Sequence, residues 1–205
     1  MRSSVYLLIA SVLFGLIACR TQAVLRSASQ ENAFRAQYVG KPFYTGIVLR
    51  PYEHGGAYLI DLTGELADAA SGTSRAPITV PLGTPLTLTA INGEHIVARV
   101  EGYTRPFRML VRTKFGTLDT VAAELAFVLS ETPPLQAARP SMRPFVTRQE
   151  VTRGMSQREV YMSWGQPDKV NSSPGASGVL EEWIYFDRRI HLFLQNGFVT
   201  NWQQF

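Results

Sequence analysis

The stretch GMSQREVYMSWGQPD, residues 154–168, contains the signals for the start and the end of one helix. Ser156, followed three positions later by Glu159, is the pattern of a capping box, in which the two side chains satisfy backbone N–H groups of the first helical turn. The pattern predicts a helix that begins directly after Ser156. Gly165 is expected to end this helix at a left-handed position, and Pro167 prevents its continuation.

Three segments rich in aromatic and β-branched residues follow this helix. They read VLEEWIYF, RIHLFLQN and FVTNWQQF, and this composition is typical of β-strands. Asp187-Arg188 separates the first two segments, and Asn196-Gly197 separates the last two. Asn-Gly favours a type I′ turn, because both central residues of that turn need a positive φ. We therefore predict a three-stranded antiparallel meander, with SSPGASG before it as a loop.

A short helix in TRQEVTR, the capped helix and the meander together give an ααβββ order over residues 146–205. This order resembles the SmpA/OmlA family of small outer-membrane lipoproteins, which have BamE-like domains. The residues that carry the resemblance have roles in caps, core and turns: Gly154, Met155, Val160, Gly165, Pro167, Trp183, Tyr185, Phe193 and Gly197. The resemblance implies contacts with other envelope proteins, among them the machinery that assembles outer-membrane proteins.

Large apolar side chains lie on both faces of the predicted sheet. Alternation along its first strand places Leu180, Glu182, Ile184 and Phe186 on one face and Glu181, Trp183 and Tyr185 on the other. One face is expected to pack on the helices, and the other to meet the first domain, a partner or a lipid surface. Trp and Tyr are enriched at interfaces, so Trp183, Tyr185 and Trp202 form a candidate interaction surface, with burial in the core as the alternative.

The chain before residue 146 favours a separate β-rich unit. Residues 132–145 are dense in proline, which suits neither a helix interior nor a sheet ladder, and they predict a semi-rigid linker. Apolar residues in LDTVAAELAFVLSE recur at helical spacing and predict an amphipathic helix over residues 118–131. Residues 40–131 contain many short β segments, for which we expect a small SH3-like barrel closed by that helix. The fold class is therefore expected to be α+β.

The beginning of the chain has the pattern of an export signal. Arg2 precedes an uncharged apolar run, residues 5–18, which is shorter than the roughly 20 residues that a transmembrane helix needs. Cys19 follows this run directly and is the only cysteine of the chain. An unpaired cysteine in an exported protein requires an explanation, and acylation with two or three chains would give a stable membrane anchor.

The residues LIAC, 16–19, resemble the lipobox of bacterial lipoproteins. The resemblance implies a signal peptide over residues 1–18, cleavage between Ala18 and Cys19, and a diacylglycerol on the Cys19 thiol. The polar residues 19–39 are then expected to form a tether to the membrane. Arg20 stands where aspartate often retains family members in the inner membrane, so the resemblance favours the periplasmic face of the outer membrane.

Composition and motifs argue against several functions. The formal net charge is +4 and the basic residues are scattered, whereas a nucleic-acid partner requires a basic patch or stripe. His54, His95 and His191 are far apart in the sequence and form no metal-binding pair, and GMSQR lacks the last glycine of a nucleophile elbow. We expect no nucleic-acid partner, no enzymatic activity, no metal site and no cofactor besides the lipid on Cys19.

The sequence leaves three functional hypotheses open. The first is a lipid-anchored envelope protein that docks other proteins through its C-terminal domain. The second is an envelope binding module whose β-rich domain holds peptidoglycan or another cell-wall ligand. The third, an inhibitor or sensor of a secreted enzyme, rests on analogy of fold alone.

Overall fold

The fold is mixed α+β, as predicted, with one sheet of seven strands and a second sheet of four. A computed structural model describes five stretches of the chain: residues 28–62, 78–92, 95–111, 118–175 and 178–205. The predicted signal peptide, its cleavage site after Ala18 and the lipidation of Cys19 lie outside these described residues.

The helices are short and lie between and beside the strands. They are α1 (Ala28–Tyr38), α2 (Leu118–Val128), a 3-10 helix (Pro134–Ala137), α3 (Arg143–Thr147) and α4 (Gln157–Trp164). The first sheet contains β1 (Pro42–Thr45), β2 (Tyr52–His54), β3 (Ala57–Asp61), β4 (Pro85–Asn92), β5 (His95–Val100), β6 (Phe107–Leu110) and β7 (Leu129–Ser130). The second sheet contains β8 (Lys169–Gly175), β9 (Gly178–Tyr185), β10 (Ile190–Gln195) and β11 (Phe198–Gln204).

The first sheet is open, so the predicted SH3-like barrel is wrong. Its strands lie in the order β2-β3-β6-β5-β4-β1-β7, which leaves β2 and β7 as its two edges. A barrel closes only when its terminal strands pair with each other. Here β2 has three residues and β7 has two, and no pairing joins them within the described part of the chain. Short strand segments can be recognised in a sequence, but closure depends on distant strands.

Helix α2 covers the first sheet with the face that its spacing predicts. Val121, Leu125 and Val128 are buried in a core shared with the strands. The helix ends at Val128 rather than at residue 131, because Leu129-Ser130 pair with β1 and form β7. Backbone pairing with the sheet therefore replaces the last helical turn that the apolar pattern alone predicts.

Two segments for which the sequence predicts little structure pack against the two cores. In the predicted tether, α1 places Phe34 and Tyr38 against the core of the first sheet. In the predicted linker, residues 132–145, the 3-10 helix buries Pro134, and Ala138 joins the core of the second sheet. The proline-rich segment therefore has defined contacts along the second sheet's core. The short helix predicted in TRQEVTR, residues 147–153, is wrong, because helix α3 begins inside this segment at Arg143, with Pro144 in its first turn, and ends at Thr147.

Helix α4 begins with the predicted capping box. The Ser156 hydroxyl accepts a hydrogen bond from the Glu159 N–H at 3.4 Å, and the Glu159 carboxylate accepts one from the Ser156 N–H at 2.9 Å. Gly165 ends the helix with a φ of 78° and a ψ of −166°, an extended conformation essentially restricted to glycine rather than the expected left-handed helical one. Asn196 and Gly197 both have positive φ, which confirms the predicted I′-type turn.

The second sheet has four antiparallel strands, in the order β11-β10-β9-β8, instead of the predicted three. The additional strand β8 includes most of the SSPGASG segment, which the sequence predicts to be a loop. Serine, proline and glycine are poor strand formers, and pairing with β9 makes this segment a strand. Pro174 lies at the sheet edge, where a strand can lack an N–H donor.

Glu159 also links α4 to the segment before α3. Its carboxylate is almost fully buried and contacts the Arg139 guanidinium through Oε1 at 2.9 Å and Oε2 at 2.5 Å. Burial alone would raise the pKa of this carboxyl group. Hydrogen bonds from the Arg139 side chain and from the backbone N–H groups of Ser156 and Arg139 outweigh burial and lower the pKa to about 2.

We expect Glu159→Gln to remove an acid-sensitive part of the stability. Because the folded-state pKa is lowered, the ionised carboxylate stabilises the fold above the ordinary pKa of 4.5, by about 2 kcal/mol. This contribution is lost as the pH falls toward the folded-state pKa. Urea unfolding at about pH 7 and about pH 3 measures the loss, and the difference between the wild type and the variant should be clearly smaller at the lower pH, vanishing only below the folded-state pKa.

The control for this experiment is Glu150→Gln. Glu150 pairs with Arg148, but both side chains are about half exposed, and such surface pairs contribute little. This variant should unfold nearly like the wild type at both pH values. Equal losses in the two variants would mean that the buried Arg139 contact has no special role.

Candidate interaction surface

A buried cation, Arg50, joins the two sheets. Its Nη1 donates to the Gln166 carbonyl at 2.6 Å, and its Nη2 lies 3.2 Å from Asp168 Oδ2 and 2.6 Å from Asp187 Oδ1. The Arg50 side chain is only 6% exposed, and its guanidinium lies 5.2 Å from the centre of the Tyr185 ring. These contacts fix the end of α4 and the β9–β10 turn against the first sheet.

Two tyrosines complete this junction. The Tyr52 hydroxyl donates to Asp168 Oδ1 at 3.2 Å, and burial together with the nearby Asp168 charge raises the pKa of Tyr52 to about 12. Tyr185 donates to the Gly165 carbonyl at 3.0 Å, and burial raises the pKa of Tyr185 well above its ordinary value. Both phenols stay protonated near neutral pH, so they serve as hydrogen-bond donors that hold the junction.

The inner face of the second sheet packs on helices α3 and α4. Trp183 and Tyr185 lie on this face and are 1% and 0% exposed, in a cluster with Met155 and Val160. Their prediction as an exposed interaction surface is therefore corrected, because the helices cover the face on which both rings lie. Trp202 is 42% exposed and stays accessible.

The opposite face of this sheet, which we call the outer face, has a different character. Strand alternation and pairing place on it Leu180, Glu182, Ile184, Phe186, His191 and Phe193. Leu180 and Phe186 are nearly half exposed, and so is Phe205 beside His191. Leu180, Phe186 and Phe205 together give the outer face a concentration of exposed apolar groups, which marks a surface for interaction. Val170 and Trp202 are exposed as well, but they pair with Trp183 and Leu192 of the inner face, respectively, and therefore lie on the other side of the sheet.

A polar network lies in the middle of the outer face. Glu182 Oε1 is 2.6 Å from His191 Nδ1, and the Asn171 side chain donates to Glu182 Oε2 at 2.7 Å. The hydrogen bonds from Asn171 and then His191 lower the pKa of Glu182. The His191 ring also stands edge-on to Phe205, with the ring centres 4.6 Å apart. The outer face thus combines apolar area with a few oriented polar groups, as interfaces commonly do.

The residues that carry the family resemblance occupy structural positions. Gly154 and Gly197 have positive φ, and the Gly154 N–H donates to the Val199 carbonyl at 2.8 Å. Met155 and Val160 are fully buried, and Pro167 follows the end of α4. The remaining members are the buried Trp183 and Tyr185, Gly165 at the junction, and the partly buried Phe193 on the outer face.

The described part of the chain offers no group of three or more His, Cys, Asp or Glu side chains that could hold a metal ion. His54, His95 and His191 lie in three different strands, β2, β5 and β10. Among the helices of the same residues, none is both long enough and apolar enough to cross a membrane.

Comparisons of the chain with protein-family models, with curated proteins and with solved structures find no match. The candidate surface is therefore assigned from the geometry of its own residues. Its exposed apolar members lie on regular strands or directly beside them, an arrangement that suits binding.

Sequence reasoning missed the Arg50 junction and chose the wrong face of the second sheet. Nothing in the local sequence around Arg50 indicates partners more than a hundred positions away. The signal for the outer face was present, because alternation separates Leu180 and Phe186 from Trp183. The prediction gave weight to residue type, whereas coverage by α4 decides which aromatic rings are accessible.

Proposed function

We propose that this chain is a non-enzymatic, lipid-anchored protein of the bacterial cell envelope, held by Cys19 at the periplasmic face of the outer membrane. In this proposal the outer face of the second sheet docks other envelope proteins. The lipid on Cys19 keeps the folded body near the membrane, and docking recruits or positions partners there.

The observation that carries this proposal is the exposed outer face. Leu180 and Phe186 stay accessible although the same sheet buries Trp183 and Tyr185 on its other side. The Arg50 junction holds this sheet firmly, which reduces the ordering cost of binding. A rigid sheet with apolar groups around a polar centre is a suitable surface for a folded protein partner.

We propose further that residues 146–205 form a BamE-like domain. Helix α4 followed by the antiparallel strands β9, β10 and β11 supports this assignment. Two features depart from the predicted ααβββ order, because α3 begins before residue 146 and β8 is an additional strand. By the same resemblance, the machinery that assembles outer-membrane proteins is the first partner to consider.

Site-specific photocrosslinking in living cells tests the docking proposal. A photoreactive phenylalanine analogue replaces Leu180 in the full chain, and adducts are recovered with an antibody against the chain and identified by mass spectrometry. We expect an adduct with a defined envelope protein, because Leu180 lies on the outer face and is accessible. The adduct should decrease several-fold with Cys19→Ser, which removes the anchor and so lowers the local concentration.

Ala123 supplies the matched control position. Its side chain is exposed on helix α2, which packs on the first sheet. The analogue there should therefore give no such adduct. Equal adducts at both positions, or none at Leu180 with the chain still in the membrane fraction, would contradict docking through the outer face. Adducts only at Ala123 would favour the alternative hypothesis, in which the β-rich domain is the binding module of the chain.

A further inference from the structure

Strand β11 lies at the edge of the second sheet, and the side of it that points away from β10 is paired along its first half only. In its first half, Val199 exchanges backbone hydrogen bonds with the loop before α4: its N–H donates to Met155 O and its carbonyl accepts from Gly154 N, both at 2.8 Å. The second half, residues 200–204, has no backbone partner on this side within the described part of the chain.

The direction of the free backbone groups follows from the last ladder bond. The Phe205 N–H donates to the Arg189 carbonyl at 3.0 Å, toward β10. In an antiparallel ladder, successive residues point their N–H and C=O groups to opposite edges. Trp202 and Gln204 therefore point theirs away from β10, into solvent. The pair forms a short template for one more antiparallel strand.

Strand β11 itself lacks the features that usually protect a sheet edge, although the Arg153 guanidinium reaches it and donates from Nη2 to Asn201 Oδ1 at 3.1 Å. Natural edges carry charges, especially lysine, or proline. The opposite edge of the same sheet has both, Lys169 and Pro174 in strand β8. The sequence of β11, FVTNWQQ, contains neither a charge nor a proline. Two edges of one sheet thus differ in accessibility to pairing, and β11 is the accessible one.

The side chains of the free edge are complementary to themselves. Gln203 and Gln204 end in amides, each of which is both donor and acceptor and so can pair with its own kind. The Asn201 Oδ1 already accepts a hydrogen bond from Arg153. A two-fold interface brings identical patches together, and the absence of charge from β11 avoids repulsion between them. Trp202, 42% exposed, supplies apolar area beside the amides.

We propose that this protein self-associates as a two-fold dimer through antiparallel pairing of β11 with β11 of a second copy. In the register that uses the free groups, Trp202 of one copy pairs with Gln204 of the other, and Gln203 lies opposite its own counterpart on the two-fold axis. The two four-stranded sheets then form one continuous eight-stranded sheet. The outer faces of both copies lie on that sheet and remain open.

A cysteine crosslink tests this register directly. The full chain carrying Cys19→Ser has no other cysteine, so Gln203→Cys introduces a single thiol at the proposed axis. Directly opposed residues of a non-hydrogen-bonded pair have Cβ atoms close enough for a disulfide. Under mild oxidation in detergent solution, we expect a disulfide-linked dimer to form at least about tenfold faster than for a thiol outside the interface.

Ser173→Cys in the same background is the matched control. Ser173 is exposed on the protected edge strand β8 and should crosslink only by random collision. Gln204→Pro is the blocking variant, because it removes an edge N–H that points to solvent without removing a bond to β10. Sedimentation should show a concentration-dependent dimer for the Cys19→Ser chain and a monomer for the blocked variant.

Two results would overturn the dimer. One is equal crosslinking rates for the Gln203→Cys and Ser173→Cys chains. The other is a monomer at every concentration tested by sedimentation, with circular dichroism showing that the chain is folded. If Gln204→Pro reduces neither the dimer nor the crosslink, another surface holds the copies together and the β11 edge is excluded.

Discussion

Gly165→Ala is expected to destabilise the protein by about 4 kcal/mol, the sum of two separate costs. The first is conformational, since the φ of 78° and ψ of −166° at Gly165 lie in a region that alanine avoids. The second is steric, because a Cβ at this position would lie 2.5 Å from the Val48 carbonyl oxygen. Urea unfolding of the folded chain measures the loss.

Gly102→Ala separates these two costs. Gly102 also has a positive φ, 83°, but a Cβ there meets no atom within 4 Å. Gly102→Ala should lower the free energy of unfolding by only about 1 to 2 kcal/mol, because it incurs the conformational cost alone. If both variants lose the same stability, the close approach between Gly165 and the first sheet does not constrain the fold, and the junction between the two sheets is looser than the structure indicates.

Arg50→Met is expected to cost about 3 to 4 kcal/mol. Methionine fills much of the same space, but it leaves Asp168 buried without its cation and removes the bond to the Gln166 carbonyl. Uncompensated buried charge is expensive, and the cost of removing one partner exceeds the value of the intact pair. Thermal and urea unfolding should both show the loss.

Arg105→Met provides the comparison on the protein surface. Arg105 also contacts a carboxylate and a tyrosine ring, with Glu53 at 3.2 Å and the Tyr58 ring centre at 5.9 Å. Its side chain is 47% exposed, so the variant should lose less than about 1 kcal/mol. A similar loss in both variants would mean that burial of Arg50 adds nothing to its contacts.

The two large effects concern the same junction, and they bear on the docking proposal. Gly165 and Arg50 hold the second sheet against the first from adjacent positions, through Val48 and the residues that follow α4. Variants at Gly165 and Arg50 should weaken partner binding only by lowering the fraction of the chain that is folded. Variants on the outer face, such as at Leu180, should weaken binding and leave the unfolding free energy nearly unchanged.

Local sequence signals predicted several elements of this fold. The capping box at Ser156 and Glu159 and the turn at Asn196-Gly197 depend on residues within a few positions of one another, and the structure contains both. The apolar spacing of helix α2 correctly identified its buried face. These features need no distant partner, so the sequence is sufficient to specify them.

The remaining features depend on contacts between residues far apart in the chain. Strand β8 becomes a strand because β9 pairs with it, and the first sheet stays open because its terminal strands do not meet.

By itself the sequence determined the class of fold, the first and last residues of α4, and the alternation of side chains between the two faces of the last strands in the chain. Only the tertiary structure decided which of the two alternating faces is covered, because α3 and α4 pack over Trp183 and leave Leu180 in solvent. Alternation divides a strand into two faces, but burial depends on what packs against each. The same reason applies to Arg50, whose partners are adjacent only after both sheets have formed.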